Sequence, residues 1–243
     1  MLALGSMTLG SMPRIAAAVS DGELRTHREA VQRHADVIEL RIDRFARHDA
    51  AYVADVCRAA RALERPLVAT VRAAAQGGAV DLPDAQRLAA YQAAVSLVDG
   101  VDVELRSPLC APVLLLAARH DRLTIVSHHD FDATPSDAEL AALRREAAQL
   151  DGAHILKVAG FAHSQRDTER LLDFLRSRQA RDLIVHAMGP HGVASRVFFP
   201  LLGSLLTYGF VSSAGAPGQL ALSDLYAELR RYSPEFAAAH ADR

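Results

Sequence analysis

Lysine differs from arginine in one respect that matters for chemistry: it can shed its proton at an accessible pH and act as a neutral amine. Of the 27 basic residues in this chain, 26 are arginine and a single one, Lys157, is lysine. It lies within the apolar run Ile155-Leu156-Lys157-Val158-Ala159. Coding drift toward arginine explains the bias, and Lys157 is then either a chance survivor at a strand end or an amine that arginine cannot replace. An amine nucleophile condenses with a carbonyl compound to an iminium, and such chemistry needs a proton carrier. His129, in Ser127-His128-His129-Asp130, is the candidate. Arg41, Arg72 and Arg196 offer planar forks suited to a carboxylate. The set suggests an iminium-forming enzyme acting on a small anionic carbonyl compound. At an unperturbed pKa near ~10.4, about one lysine in 2,500 is neutral at pH 7. Nearby Arg41, Arg72 or Arg196 would lower that pKa and Glu39, Asp102 and Glu104 would raise it, so the sign of the sum stays open here.

These residues need a scaffold that brings them to one place. Short apolar runs alternate with stretches of helical period, the pattern of repeated βα units. The strands are expected at Arg14–Val19, Asp36–Ile42, Pro66–Arg72, Val101–Leu105, Leu123–Ser127, His154–Ala159, Leu183–Ala187 and Gly209–Ser212. Helices are expected over Glu23–Arg33, Ala51–Leu63, Asp84–Val98, Pro135–Leu150 and Ser164–Arg178, with Asp49, Ser136 and Ser164 as their starters. Eight such units point to an α/β fold, a (β/α)8 TIM barrel over residues 13–243, preceded by a flexible segment at residues 1–12. Within the strands, Glu39 and Arg41 share one face and Ile38 and Leu40 the other; Asp102 and Glu104 likewise oppose Val101, Val103 and Leu105. A barrel turns the apolar face to its helices and the charged face to its lumen. Buried carboxylates must then pair with one another's counter-charges or with a ligand. The candidates at the C-terminal strand ends are Glu39, Arg41, Arg72, Asp102, Glu104, His129, Lys157 and Met188, with Arg196 and Gln219 in late loops.

Composition removes several alternatives. The formal net charge is −2 with no basic stripe, which argues against nucleic acid and anionic membrane as partners. No apolar run approaches the ~18 residues of a membrane span, and the first residues lack the features of a secretory signal, so a cytoplasmic location is expected. Two cysteines, Cys57 and Cys110, cannot make a disulfide framework or a cysteine-based zinc site. No H-x-H occurs on the first strand, and a metal reading of His128-His129-Asp130 is correspondingly poor. His128 should face outward, and His186 is read as a packed or hydrogen-bonded histidine.

Seven segments carry a resemblance that spans essentially the whole chain: Glu39-Leu-Arg41-Ile-Asp43; Ala69-Thr-Val-Arg72 followed by Gly77-Gly78; Val101-Asp-Val-Glu104-Leu; Ser127-His-His129-Asp-Phe131 with Thr134-Pro135; Ile155-Leu-Lys157-Val-Ala159; Gly192-Val-Ala-Ser-Arg196; and Ala216-Pro-Gly-Gln219. In that order they resemble the type I 3-dehydroquinate dehydratases of the shikimate pathway. The resemblance implies that Lys157 forms an iminium with the substrate ketone. His129 would then move the proton from C2 to the departing hydroxyl, with no metal or organic cofactor. Glu39, Arg41, Arg72, Arg196 and Gln219 would hold the hydroxyls and the carboxylate, with Gln76, Asp102, Glu104 and Met188 in support. A homodimer is also implied. Three positions depart from the family pattern: Gln76 where a glutamate usually partners the histidine, Gly215 where a serine is usual, and Ala18 for a first-strand serine. The alternatives are another class I Schiff-base barrel of the aldolase type, or a barrel that binds a quinate-like metabolite with weak or no turnover.

Overall fold

In the computed structural model, which describes residues 2–152, 154–177 and 182–243, eight parallel strands form the barrel. They are β1 (Ile15–Val19), β2 (Val37–Arg41), β3 (Leu67–Thr70), β4 (Gly100–Glu104), β5 (Leu123–Asp130), β6 (His154–Phe161), β7 (Leu183–Met188) and β8 (Thr207–Phe210). Ladders run in sequence order from β1 to β7, with β8 on the other side of β1 and a short parallel strand, Leu220–Ala221, beyond β8. Between β7 and β8 the seam is closed by single contacts. Leu205 N–H donates to the Leu183 carbonyl at 2.9 Å, and the Ser204 hydroxyl accepts from Val185 N–H at 3.0 Å.

The alternation of side chains along the strands sorts the interior into two compartments. Ile38, Leu40, Val101, Val103 and Leu105 join the core between sheet and helices. The other face enters the lumen, where Val37, Val68, Ile125, Ile155 and Ile184 form an apolar floor. Above the floor the same strands carry Glu39, Arg41, Thr70, Asp102, Ser127, Lys157 and His186. Val37 thus belongs to the lumen face together with Glu39 and Arg41.

The expected helix starters act as caps. Asp49 accepts from Tyr52 N–H at 3.1 Å and Ser136 from Glu139 N–H at 3.3 Å, and Ser164 forms a capping box with Asp167. Other expectations need correction. The eighth strand is Thr207–Phe210, with Thr207 paired to Ile15, rather than Gly209–Ser212. Strands β5 and β6 extend three and two residues further than expected, because His128, His129 and Asp130 continue the ladder opposite Val158, Ala159 and Gly160. The helix expected over Glu23–Arg33 is two, Asp21–Thr26 and Arg28–His34, broken where the Thr26 hydroxyl bonds back to the Gly22 carbonyl. The end of the helix expected to reach Arg178 lies outside the described residues. Four helices had no expectation: Cys110–Ala118, Ser195–Leu201, Leu222–Tyr232 and Pro234–Ala239. The first, CAPVLLLAA, is apolar on all sides and shows no helical contrast. Within residues 1–12, where a flexible segment was expected, Ala3–Leu4 and Met7–Thr8 form an antiparallel hairpin. Leu4 and Leu9 from this segment pack with Leu205 and Leu206 in the floor cluster. No helix among the described residues is long and apolar enough to cross a membrane.

Candidate active site

At the C-terminal mouth of the barrel a cavity of about 570 Å³, its opening included, is lined by residues from six of the eight strands and the loops that follow them. Its base is an ion cluster. Lys157 Nζ lies 2.9 Å from Asp102 Oδ2 and 3.6 Å from Glu39 Oε1, and 4.1 Å from the centre of the Tyr208 ring. Arg72 donates to Asp102 Oδ1 at 2.8 Å, to Ser127 Oγ at 2.7 Å and to Glu104 Oε1 at 3.1 Å. Ser127 in turn donates to Asp102 Oδ1 at 2.6 Å. Glu104 further accepts from Ala73 N–H at 2.8 Å and from Arg87 at 2.5 Å. Burial alone would push the Asp102 carboxyl upward, but Arg72, Lys157, His129 and the Ser127 hydroxyl hold it well below the usual range. For Arg72, burial opposes the charge, and Asp102 and Glu104 more than compensate, so its pKa is raised. The carboxylates expected in the lumen are therefore paired, and the nearest charges to the Lys157 amine are negative.

Above this base, His129 is positioned by Gln76. The Gln76 Oε1 accepts the His129 backbone N–H at 2.9 Å and stands 3.3 Å from its Nδ1. Because a backbone N–H can only donate, that contact identifies the oxygen end of the amide. The Nδ1 beside it must then carry a proton, which leaves Nε2 as the basic nitrogen. Burial, followed by Arg72 and Lys157, pushes the imidazole pKa well below its ordinary value, with Asp102 opposing. Gln76 sits on the loop after β3, which turns through Gly77 at φ 84°. A side chain at Gly77 would strike the Phe131 ring, with its Cβ 2.5 Å away. Gly77 also supplies the carbonyl that accepts from Arg41 at 3.1 Å, while the Arg41 fork grips Asp43 at 2.9 and 2.8 Å.

Opposite this loop stand Arg196, Met188 and Gln219. Gln219 Oε1 accepts from Gly215 N–H at 2.7 Å, which orients its amide nitrogen away from that bond. Arg196 is buried and leaves its Nε and Nη2 without a hydrogen-bond partner among the described residues. Burial draws its pKa down to about 10. His186, read from the sequence as packed or hydrogen-bonded, is packed: it stands edge-on against Tyr208, lines the cavity, and has no hydrogen-bond partner on either ring nitrogen among the described residues.

Of the residues singled out in the sequence, Lys157, His129, Glu39, Arg41, Arg72, Arg196, Gln219, Gln76 and Met188 all line the cavity. Asp102 and Glu104 lie beneath it as counter-charges, and His128 is not among the lining residues. Arg44, Phe131, Tyr208 and His186 also line it and were missed as site residues. A Cβ at Gly215 would stand 2.4 Å from an Arg44 nitrogen, so Arg44 fills the space beside this glycine. Tyr208 and His186 alternate with apolar lumen residues on their strands, and that alternation was the available signal. Among the described residues, no group of three or more His, Cys, Asp or Glu side chains is gathered as a metal site.

Comparison with known proteins places the chain in a family. A model of the Type I 3-dehydroquinase family matches residues 15–233. The 3-dehydroquinate dehydratase of Methanococcoides burtonii is 32% identical over 228 residues, covering 93% of this chain and 97% of that protein. The crystal structure of 3-dehydroquinate dehydratase from Geobacillus kaustophilus superposes with a TM-score of 0.86 at 30% identity, over 96% of this chain and 97% of that one. The type I enzyme from Clostridium difficile, solved with covalently modified comenic acid, gives a TM-score of 0.83 at 26% identity over 100% of this chain and 98% of that one.

Proposed function

The chain belongs to the type I 3-dehydroquinase family and is a hydro-lyase of the 3-dehydroquinate dehydratase kind, and from that premise we propose that it dehydrates 3-dehydroquinate to 3-dehydroshikimate through an iminium on Lys157, as a step of the shikimate route. The observation that carries the mechanism is the placement of the only lysine, buried at the cavity base 2.9 Å from Asp102, in one cavity with a histidine whose Nε2 is free to act as base.

Asp102 accepts a hydrogen bond from the Lys157 ammonium and positions it; His129 relays an Nζ proton to the carbonyl oxygen as the freed lone pair attacks the C3 ketone, so the protons that Nζ sheds leave with that oxygen as water. Loss of water from the carbinolamine yields the iminium, which draws electrons from the neighbouring carbon and acidifies its C2 proton. His129 Nε2 takes that proton and gives it to the C1 hydroxyl, which leaves as water. A second water hydrolyses the conjugated iminium, so one water is consumed for each one released at condensation, and the net change is the loss of one water from the substrate. Arg196 and Gln219 hold the carboxylate, and Glu39, Arg41 and Arg72 the hydroxyls. Met188 and Gln76 shape the wall around them. None of these steps calls on a cofactor. The same reading includes a cytoplasmic homodimer; exposed Phe198, its ring tilted against that of exposed Tyr232 at 5.4 Å between centres, supports an association face, and light scattering on the purified protein tests it.

Borohydride reduction in the presence of 3-dehydroquinate, read by intact-protein mass, tests the mechanism. Only Lys157 and the chain's α-amine can react. An adduct at Lys157 with the mass of the substrate less the eliminated water is expected, and none is expected in Lys157→Ala. Lys157→Arg should be as inactive as the alanine variant, since a guanidinium stays protonated. Normal turnover by either variant would sink the mechanism. An adduct that retains the water would point to capture without elimination, and no adduct to a binding barrel or an aldolase-type substrate.

A further inference from the structure

The cavity wall contributed by β7 and the helix after it, Ser195–Leu201, carries hydrogen-bonding groups that meet no partner among the described residues. Among the described residues, both ring nitrogens of His186 and the Nε and Nη2 of Arg196 lack partners, although the two side chains are only 1% and 3% exposed. Both line the cavity. The other guanidiniums at the site are differently placed: Arg72 is engaged by Asp102, Glu104 and Ser127, and Arg41 by Asp43 and Gly77. Buried polar groups without partners are rare and costly in folded proteins. Two on one wall of an open cavity point to a ligand that satisfies both.

The chemistry of that ligand follows from the groups. Burial, then the positive charges of Arg196 and Lys157, keeps the His186 imidazole neutral, its pKa well below the ordinary value. A neutral imidazole has one N–H to donate. Arg196 and Lys157 are themselves donors only, so neither can accept it. The Tyr208 ring, 5.4 Å away and nearly perpendicular, fixes the imidazole plane from one side. The acceptor must come from the cavity, next to the unengaged N–H groups of a guanidinium.

We propose that His186 is a substrate-binding residue whose ring N–H donates to an oxygen of the carboxylate that Arg196 holds, so that the pair selects acid-bearing polyols over neutral ones. The assignment of that carboxylate rests on the dehydratase reading. The anion would meet one cationic and one neutral donor, and His186 contributes to binding in the ground state and the transition state alike.

The test compares wild type with His186→Met and His186→Gln. Quinate is the probe, because it keeps the carboxylate and hydroxyls but has no ketone to form an iminium. Without ligand, His186→Met should melt at or above the wild-type temperature, since it removes two unmet polar atoms. It should lose most of the thermal shift that quinate gives wild type. Its KM for 3-dehydroquinate should rise roughly ten- to hundredfold, the weight of one hydrogen bond to a charged group, with kcat within a few fold. His186→Gln, which keeps an N–H donor, should recover part of both losses. A neutral cyclohexane polyol should bind wild type and His186→Met equally weakly. Unchanged KM and an unchanged quinate shift in His186→Met overturn the proposal, as does a quinate shift lost equally in His186→Gln and His186→Met. If the methionine variant does not fold, His186→Leu replaces it in the same comparison. Failure of wild type to turn over 3-dehydroquinate would overturn the dehydratase reading instead. The quinate shift then decides His186 alone: a larger shift in wild type than in His186→Met supports it, and equal shifts, zero included, overturn it.

Discussion

Gln76 and His129 share a single acceptor atom, and the consequences for proton transfer follow from its charge. The amide oxygen orients the imidazole through Nδ1 but offers no negative charge to the imidazolium that forms when Nε2 takes a proton. With burial, Arg72 and Lys157 all acting against that cation, the imidazole stays in its neutral, unprotonated form well below pH 6.5. Activity that needs the free base should therefore persist into acid solution, its acidic limb lying below the ordinary histidine range. In Gln76→Glu the same two N–H groups meet a carboxylate, which favours the protonated imidazole. The acidic limb of kcat/KM should move up by about one pH unit or more, and kcat should rise or stay level, by at most the ~10²–10⁴ that general acid–base assistance supplies. A pH–rate profile of the two proteins checks this. An unmoved limb would mean that His129 is not the titrating base, and a large fall in kcat that Gln76 has a role of its own.

One element decides where Arg196 stands: the tight turn between β7 and the helix Ser195–Leu201. Ser195 ties the turn at both ends, accepting from Ala187 N–H at 3.0 Å and donating to the Gly192 carbonyl at 2.6 Å. The Thr207 hydroxyl on β8 holds the Arg196 carbonyl at 2.7 Å, across the seam where β7 and β8 have no ladder. Gly192 lies against the end of β7 so closely that a Cβ would be 2.4 Å from the Ala187 carbonyl. Gly192→Ala must push the turn off the strand, and overpacking of this kind costs about 1–3 kcal/mol. Because Arg196 rides on the displaced turn, KM should rise more than kcat falls. Urea unfolding and steady-state kinetics on the one variant read both effects, and unchanged stability with unchanged KM would refute the account. The turn was recognisable in Gly192-Val-Ala-Ser-Arg196, whereas the helix it opens was not expected.

Across the whole molecule, the barrel divides stability from chemistry along its axis. The C-terminal mouth holds the polar cavity. The opposite end is closed by the aliphatic floor and by Leu4 and Leu9 near the amino-terminal hairpin, with Leu4 fully buried. Cutting a buried leucine to alanine removes apolar contact and leaves a hole, at a cost of about 2–5 kcal/mol. Leu4→Ala should lose stability in that range while KM and kcat of the folded protein stay at wild-type values. Denaturant melts paired with kinetics check the separation. A change in KM would show that the floor is coupled to the ion cluster above it.

Much of this molecule is written in neighbouring residues. The alternation in Val37–Arg41 and Val101–Leu105 is enough to turn Glu39, Arg41, Asp102 and Glu104 to one face and the aliphatics to the other, because successive strand side chains point oppositely. The order of the strand-end motifs around the lone Lys157 names the family without coordinates. The tertiary structure decided what depends on groups far apart in the chain. The stagger of the closed barrel decides that Lys157 meets Asp102, 55 residues earlier. It also decides that Gln76 presents its oxygen to His129, 53 residues on, and that His186 ends beside Tyr208 with neither nitrogen met among the described residues. The amino-terminal hairpin was invisible for the same reason: its four strand residues carry little periodicity of their own, and the floor that Leu4 and Leu9 complete is built by residues from the rest of the barrel. Local pattern determines which way a side chain points; only closure of the barrel determines what it meets there.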